Sequence, residues 1–236
     1  MTNKIKLLVL DPVTTAATPA ELAYMGRFLS ENTELEGRAI CKGPASIECE
    51  YDEAMALPQV VALARESAAE FDGIFIDCFA DPGVRAVREC VDIPVCGGFE
   101  PVLQLALGLA DRIAIITVLP QVIPLFAGKC GEGWPERARL RHPQRRHSRA
   151  LVGRSRGACA EPVCAEPSGD HRKRRRGHRP RLHRHDRCRR GAGRDAESIR
   201  PRRPVLEAGQ AALMMLELQV KMGLSHSRRT YHLVRS

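Results

Sequence analysis

Residues 73–83 read Gly-Ile-Phe-Ile-Asp-Cys-Phe-Ala-Asp-Pro-Gly, and they begin with the most buried-looking strand of the chain. The first half of this stretch, Gly73 to Asp77, is a short apolar run of the kind found in central strands of parallel sheets, which are buried on both faces. Cys78 follows this run directly. The stretch therefore predicts a buried parallel strand with a cysteine at its carboxyl end.

Apolar strand-like runs and amphipathic helical runs alternate on both sides of this stretch. Strands are predicted at Ile5 to Leu10, Arg38 to Cys41, Gly73 to Asp77, Ile93 to Cys96 and Arg112 to Thr117. Helices are predicted from Pro19 to about Leu29, Asp52 to about Ala69, Gly83 to Cys90 and Glu100 to Leu109. A capping box, Thr18 with Glu21, marks the start of the first helix. This alternation predicts an α/β fold with a doubly wound parallel sheet.

The alternation stops after Phe126. Between residues 130 and 203 there are only six Ile, Leu or Val residues, with neither helical nor strand periodicity. Such a segment buries too little apolar surface to offset the entropy cost of ordering it, so we expect it to be mostly irregular. The pattern returns with a strand end at Pro204 to Leu206 and a helix from Glu207 to Met222, which Gly223 ends.

The charge of the chain is divided unevenly. Residues 129–203 hold 24 Lys and Arg against 8 Asp and Glu, a net +16, whereas the rest of the chain holds 13 against 20, a net −7. The basic interval contains 22 arginines but only two lysines. One interpretation is a nucleic-acid-binding arm centred on residues 172–190. Its lack of lysine, and of aromatic residues beyond Trp134 for base stacking, argues against that interpretation.

Length and composition exclude several classes of protein. The chain of 236 residues is long enough for a packed core. No charged and apolar leader is present at the N-terminus, and no apolar run approaches about 18 residues, so we expect a cytoplasmic protein without a membrane span. The nine cysteines form no zinc-type spacing, so we expect reduced thiols and no metal site.

Cys78 is the candidate catalytic residue, because functional groups on open parallel sheets gather at the carboxyl ends of strands. The alternative is that Cys78 is a small buried hydrophobic residue. That structural role is the one we assign to Cys41, Cys49, Cys90 and Cys96.

Several segments, taken in order, resemble the hydantoin and allantoin racemases of the aspartate/glutamate racemase superfamily. Gly43 to Glu48 with Tyr51 to Ala54 looks like the family signature, and Ile76 to Gly83 resembles the segment of its first catalytic cysteine. Further similarity lies in the strand and turn at 94–100, the strand at 113–118 and the tail at 223–231. The resemblance covers most of residues 1–128.

The resemblance implies two pseudo-symmetric α/β lobes with the substrate between them. The first lobe would comprise residues 1–98 and the C-terminal helix at 207–236, and the second residues 99–206, with 129–203 atypical. One cysteine from each lobe would act as acid or base, with Cys78 in the first. Free cysteine has a pKa of about 8.5, so a thiolate would need stabilisation by nearby amides. No cofactor is implied, and relatives commonly form homo-oligomers.

The resemblance also implies substrate-binding positions. Ser46, Pro12 and the backbone amides near Phe79 and Thr117 would hold a small molecule. Ordinary loop hydrogen bonding is the alternative role for Ser46 and Thr117. The family carries an Asn-Pro-Asn-Thr loop after its first strand, where this chain has Asp-Pro-Val-Thr at 11–14. Val13 has no polar side chain, so an acyclic amino acid or another ring stays open as substrate, as do maleate isomerisation and arylmalonate decarboxylation.

The second cysteine of the family, in a segment like Val-Leu-Gly-Cys-Thr-Gly-Met, has no counterpart here. Our hypothesis is that residues 129–203 are read in a shifted frame. A shift of one base, with permitted codons, turns 141–150 into Ala-Ile-Arg-Asn-Val-Asp-Ile-Pro-Val and turns 177–191 into a run containing Val-Leu-Gly-Cys-Thr-Gly-Met. The missing cysteine then straddles the codons of Leu182 and His183, and a second shift near Arg203 restores the frame. Under this hypothesis the basic interval binds polyanions only incidentally.

Overall fold

The computed structural model describes residues 4–110, 112–117, 119–126, 138–141, 162–166 and 204–234. Within these ranges the strands form two four-stranded sheets. The first sheet has the order β2-β1-β3-β4, and all of its strands are parallel. Its strands are β1 Ile5–Asp11, β2 Thr33–Ala39, β3 Gly73–Ile76 and β4 Val95–Cys96.

Helices surround the strands in the described part of the chain, together with a 3-10 turn at Pro120–Val122 that continues into a helical segment at 123–126. They are α1 Pro19–Met25, α2 Glu50–Ser67, α3 Val84–Arg88, α4 Phe99–Leu109 and α5 Ala208–Lys221. The predicted capping box is confirmed, since Thr18 Oγ1 accepts from the Glu21 amide and the Glu21 carboxylate accepts from the Thr18 amide. Gly223, with φ of 64°, follows the end of α5 in the left-handed conformation that glycine favours.

The first sheet is buried on both faces, as a doubly wound parallel sheet requires. Successive residues of a strand point to opposite faces. Leu8 and Leu10 belong to one apolar cluster, with α2, whereas Leu7 and Val9 belong to the other, with α1 and α5. The prediction of an α/β, doubly wound first sheet is confirmed, and the C-terminal helix packs on this sheet.

The predicted position of β2 is wrong. The apolar residues predicted Arg38 to Cys41, whereas the strand runs from Thr33 to Ala39. The reason is that β2 lies at the edge of the sheet and pairs with β1 along all seven residues, Ile5 with Thr33 through Asp11 with Ala39. Main-chain pairing alone sets the bounds of this strand, which needs no apolar run.

The second sheet departs from the parallel pattern. Its order is β6-β5-β7-β8, and β5 is parallel to β6 but antiparallel to β7, which is antiparallel to β8. The strands are β5 Arg112–Ile116, β6 Ala138–Arg141, β7 Pro162–Glu166 and β8 Val205–Glu207. Strands β6 and β7 fall inside the interval predicted to be mostly irregular. The remainder of that interval lies outside the described residues, and the predicted lobe boundaries stay a prediction.

Helices long and apolar enough to span a membrane are not found within the described ranges.

Candidate active site

The candidate site lies where β1 and β3 end side by side. Helix α1 follows β1 on one face of the sheet, and α2 leads into β3 on the opposite face. The connections that contain α1 and α2 therefore lie on opposite faces of the sheet. In open α/β sheets, ligands bind where neighbouring strands have connections on opposite faces, outside the carboxyl ends of those strands. The loop 12–17 and the segment 77–83 enter this edge of the sheet.

Cys78 stands at this edge with its backbone fixed. Its amide donates to the carbonyl of Ile76 at 2.8 Å, and its own carbonyl accepts from the amides of Asp81 at 3.2 Å and Gly98 at 3.4 Å. The residue is 8% exposed and belongs to the cluster on the α2 face. The thiol is thus shielded from bulk water and held where strand β3 gives way to the next turn.

Asp81 ties the Cys78 turn to helix α4. Its carboxylate oxygens accept from the amides of Phe99 at 2.8 Å and Glu100 at 3.3 Å, the first two residues of the helix. Its φ of 51° lies in the left-handed region, which aspartate tolerates better than most residues. A side chain at Gly97 would collide with the Asp81 carboxylate, so the close approach of the two segments requires glycine there.

Phe79 forms part of an aromatic wall. Its ring meets those of Phe99 and Phe126 edge to face, with centroid distances of 5.4 and 5.0 Å. The side chain is fully packed, so any contact of Phe79 with a substrate would use its backbone.

The loops that carry the other predicted residues converge on the same region. The Thr14 amide donates to the carbonyl of Pro44 at 3.3 Å, which joins the loop after β1 to the loop of Ser46. Gln121 in turn donates to Glu48 at 3.3 Å, which joins the Ser46 loop to the turn after β5. Ser46 itself is exposed and Pro12 is buried.

Thr117 directly follows β5 and is fully buried. Its hydroxyl accepts from the Leu119 amide and lies 3.4 Å from the Leu119 carbonyl. One apolar cluster contains side chains that belong to or flank the predicted site residues, namely Val13, Ile47, Cys78, Phe79 and Val122. Each predicted site residue, or a residue within one to five positions of it, therefore contributes to the same buried cluster.

Two buried carboxyl groups at this edge were not predicted as site residues. Asp11 ends β1 and Asp77 follows β3, and they are 2% and 4% exposed. Burial raises the pKa of Asp77 to about 7, with a further contribution from the charge of Asp11. Burial also raises the pKa of Asp11 to about 7, although the hydrogen bond from the Ala17 amide opposes the shift. The sequence signal that could have identified them is an aspartate at the end of each of two apolar strand-like runs.

Within the described ranges no group of three or more His, Cys, Asp or Glu residues is arranged to hold an ion. The buried role predicted for Cys41 and Cys49 is wrong, because both are exposed and their thiols donate to oxygen atoms of Gln59 at 3.1 Å and Asp52 at 3.2 Å.

Comparison with known protein families gives one match over most of the chain. The model of the family described as Asp/Glu/Hydantoin racemase matches residues 7–152, which is more than half of the 236 residues. The hydantoin racemase of Pseudomonas sp. (strain NS671) is 35% identical over 120 residues, 50% of this chain and 48% of that protein. The hydantoin racemase of Rhizobium meliloti is 32% identical over 120 residues, 50% of each. The chain thus matches about half the length of these relatives.

Solved structures show the same fold. The allantoin racemase from Klebsiella pneumoniae superposes with a TM-score of 0.68 over 98% of this chain and 94% of that one, at 18% identity. The allantoin racemase from Pseudomonas fluorescens superposes with a TM-score of 0.54 over 58% and 60%, at 23% identity. At these identities the comparison establishes the architecture alone.

Proposed function

The chain belongs to the Asp/Glu/hydantoin racemase family, and on that basis we propose that its site is built to racemise a carbon next to a carbonyl without a cofactor. The substrate class we favour is a 5-substituted hydantoin or allantoin. The observation that carries the proposal is the position of Cys78, which is shielded at the carboxyl end of the central strand β3 and belongs to the apolar cluster that also contains Val13, Ile47 and Val122.

The proposed reaction uses Cys78 as one of two acid/base thiols. A thiolate takes the proton from the substrate carbon, so that an S–H bond forms while the C–H bond breaks and its electron pair delocalises onto the neighbouring carbonyl oxygen. A thiol on the opposite face then returns a proton to the carbon. Hydrogen-bond donors around the carbonyl lower the energy of the enolate. Because one proton leaves the carbon and one proton returns to it, the reaction needs no redox step or external electron acceptor.

The remaining site residues are proposed to bind substrate. Ser46 is exposed on a loop that is held at both ends, so its hydroxyl is available to a ligand. Phe79 and Thr117 would act through backbone groups, since the Phe79 ring is packed and the Thr117 hydroxyl is paired with Leu119. Buried Pro12 would shape the wall beside them.

We further propose that the chain as written is impaired and that its second thiol was lost with the reading frame of residues 129–203. Cys130, Cys159 and Cys188 lie outside the described residues, and Cys164 lies on β7, whose side chains are also outside them. Restoring the frame over this interval would return the Val-Leu-Gly-Cys-Thr-Gly-Met segment. A homo-oligomeric, cytoplasmic protein with a small-molecule substrate is the accompanying expectation.

The test compares the chain as written with a frame-restored chain, using enantiopure 5-substituted hydantoins, allantoin and amino acids. We expect the frame-restored chain to abolish the optical rotation of one of these substrates, and Cys78→Ser to slow it by about 100-fold or more. The matched control Cys90→Ser changes a half-buried thiol just after α3 and should retain the rate.

The chain as written is expected to leave the rotation nearly unchanged. Substrate incubated in D2O separates proton removal from racemisation, because one thiol alone exchanges the hydrogen of a single enantiomer. Fast racemisation by a sample whose intact mass matches 26.1 kDa would refute the claim of impairment. Full activity of the frame-restored Cys78→Ser variant would refute the role of Cys78.

A further inference from the structure

Two aspartates end the two central strands of the first sheet. Asp11 is the last residue of β1, and Asp77 comes directly after β3. The register pairs Leu10 with Ile76, and the Asp77 amide donates to the Leu10 carbonyl at 2.9 Å. One residue further along each strand, Asp11 and Asp77 are therefore neighbours on the same face, which is the face covered by α1 and α5.

Both carboxyl groups are enclosed by protein. Asp77 is 4% exposed, and its Oδ2 has no hydrogen-bond partner among the residues that the structure describes. Asp11 is 2% exposed, and its Oδ2 accepts from the Ala17 amide at 2.8 Å. An ionised carboxylate without a partner is very costly to bury, and such a group commonly keeps its proton instead.

The charges around the pair oppose ionisation. Asp11 and Glu21, which lies on α1, are the charged groups whose fields act on Asp77, and both are negative. Other charged groups on or next to the helices of this face have partners of their own. Arg27 donates to Gln210, Glu207 accepts from Tyr24, and Glu217 binds Thr33 and Lys221.

We propose that the Asp11 and Asp77 pair keeps at least one proton at neutral pH and thereby positions the loops that follow β1 and β3. Two adjacent buried carboxylates repel each other, so loss of the last proton would drive the strand ends apart. Asp11 immediately precedes Pro12, and Asp77 immediately precedes Cys78. Both aspartates are thus positioning residues for the site described above, and their importance to catalysis rests on the proposed function of that site.

The test is the pH dependence of stability in Asp77→Asn. A carboxyl whose pKa is raised on folding stabilises the protein below its ordinary value of 3.8, and this contribution is lost as the pH rises through about 7. An amide stays neutral throughout. We expect the variant and the parent to be similarly stable at pH 5, and the ratio of folded to unfolded chain to be about 100-fold higher in the variant at pH 8.

The matched control is Glu31→Gln, which removes an exposed carboxyl group and should leave the difference between pH 5 and pH 8 unchanged. Chemical denaturation of the full chain at both pH values measures the difference, and the contributions of titrating groups other than Asp11 cancel between variant and parent. A variant that is less stable than the parent at pH 8, or equal to it at both pH values, overturns the proposal.

Hydrogen exchange of the parent alone gives a second readout that needs no variant to fold. We expect protection of the Asp77 amide, corrected for the intrinsic rate, to fall about tenfold between pH 6.5 and pH 8.5, because its bond to the Leu10 carbonyl joins the two strand ends. Constant protection would refute the positioning role. Neither measurement uses a substrate, so failure here is distinguishable from failure of the racemase proposal.

Discussion

The first sheet and the second sheet of this protein are built from the same kinds of element but in different ways. β1 reads Ile-Lys-Leu-Leu-Val-Leu-Asp, and its apolar residues fill clusters on both faces. β6 reads Ala-Arg-Leu-Arg, and its partner β5 is also paired antiparallel to β7. The difference shows that main-chain pairing with a neighbouring strand is sufficient to form a strand. A doubly wound parallel core also needs apolar side chains on both faces of the sheet.

The largest difference in stability between the two sheets is expected from a substitution at Phe75. Its side chain is 1% exposed between β1 and α5, so Phe75→Ala removes a large buried ring and should lower the free energy of unfolding by about 3–5 kcal/mol. Val205 on β8 is 53% exposed, and Val205→Ala should cost less than about 0.5 kcal/mol. Urea denaturation of both variants measures the two losses in free energy of unfolding. Equal losses would contradict the difference expected between the two sheets.

A smaller effect is expected at Asp81, which connects the first sheet to the helix that leads into the second. Asp81→Ala removes the acceptor for two amides of α4 and should cost about 1–2 kcal/mol. Asp81→Asn keeps one acceptor oxygen and tolerates the positive φ, so it should cost less. Thermal unfolding compares the two variants. If Asp81→Asn lowers the stability as much as Asp81→Ala, the hydrogen bonds to the first amides of α4 are not what stabilises the contact between these two segments.

The smallest effect is expected from the C-terminal tail on β4. His226 Nε2 accepts from the Val95 amide at 2.7 Å, and burial lowers the pKa of this imidazole to about 4. A depressed pKa gives stability that is present above the ordinary value of 6.5 and is lost as the pH falls through about 4. His226→Gln should therefore flatten the stability profile between pH 7 and pH 4.

Exposed His232 provides the control for that experiment, because His232→Gln should leave the acid limb of the profile in place. An unchanged acid limb in His226→Gln would show that the tail contributes nothing to the pH dependence of the first sheet.

The elements that the sequence predicted well are those whose signals are local. The capping box at Thr18 and the buried run of β3 depend on residues a few positions apart, and both lie where the pattern predicted them. The bounds of β2 were wrong because its seven residues follow the register of β1 and not a pattern of their own. The two strands inside the arginine-rich interval were missed for the same reason.

For the candidate site, the sequence determined the identity of Cys78 and its place after an apolar strand, since both are written in one continuous stretch. It did not determine that Asp81 caps a helix 18 residues further along, or that Asp11 and Asp77 end adjacent strands 66 residues apart. These relations exist only after the strand order β2-β1-β3-β4 is set. The physical reason is that the burial of a side chain and the charges around it depend on which segments lie next to each other in space. Packing of the whole sheet decides which distant segments become neighbours.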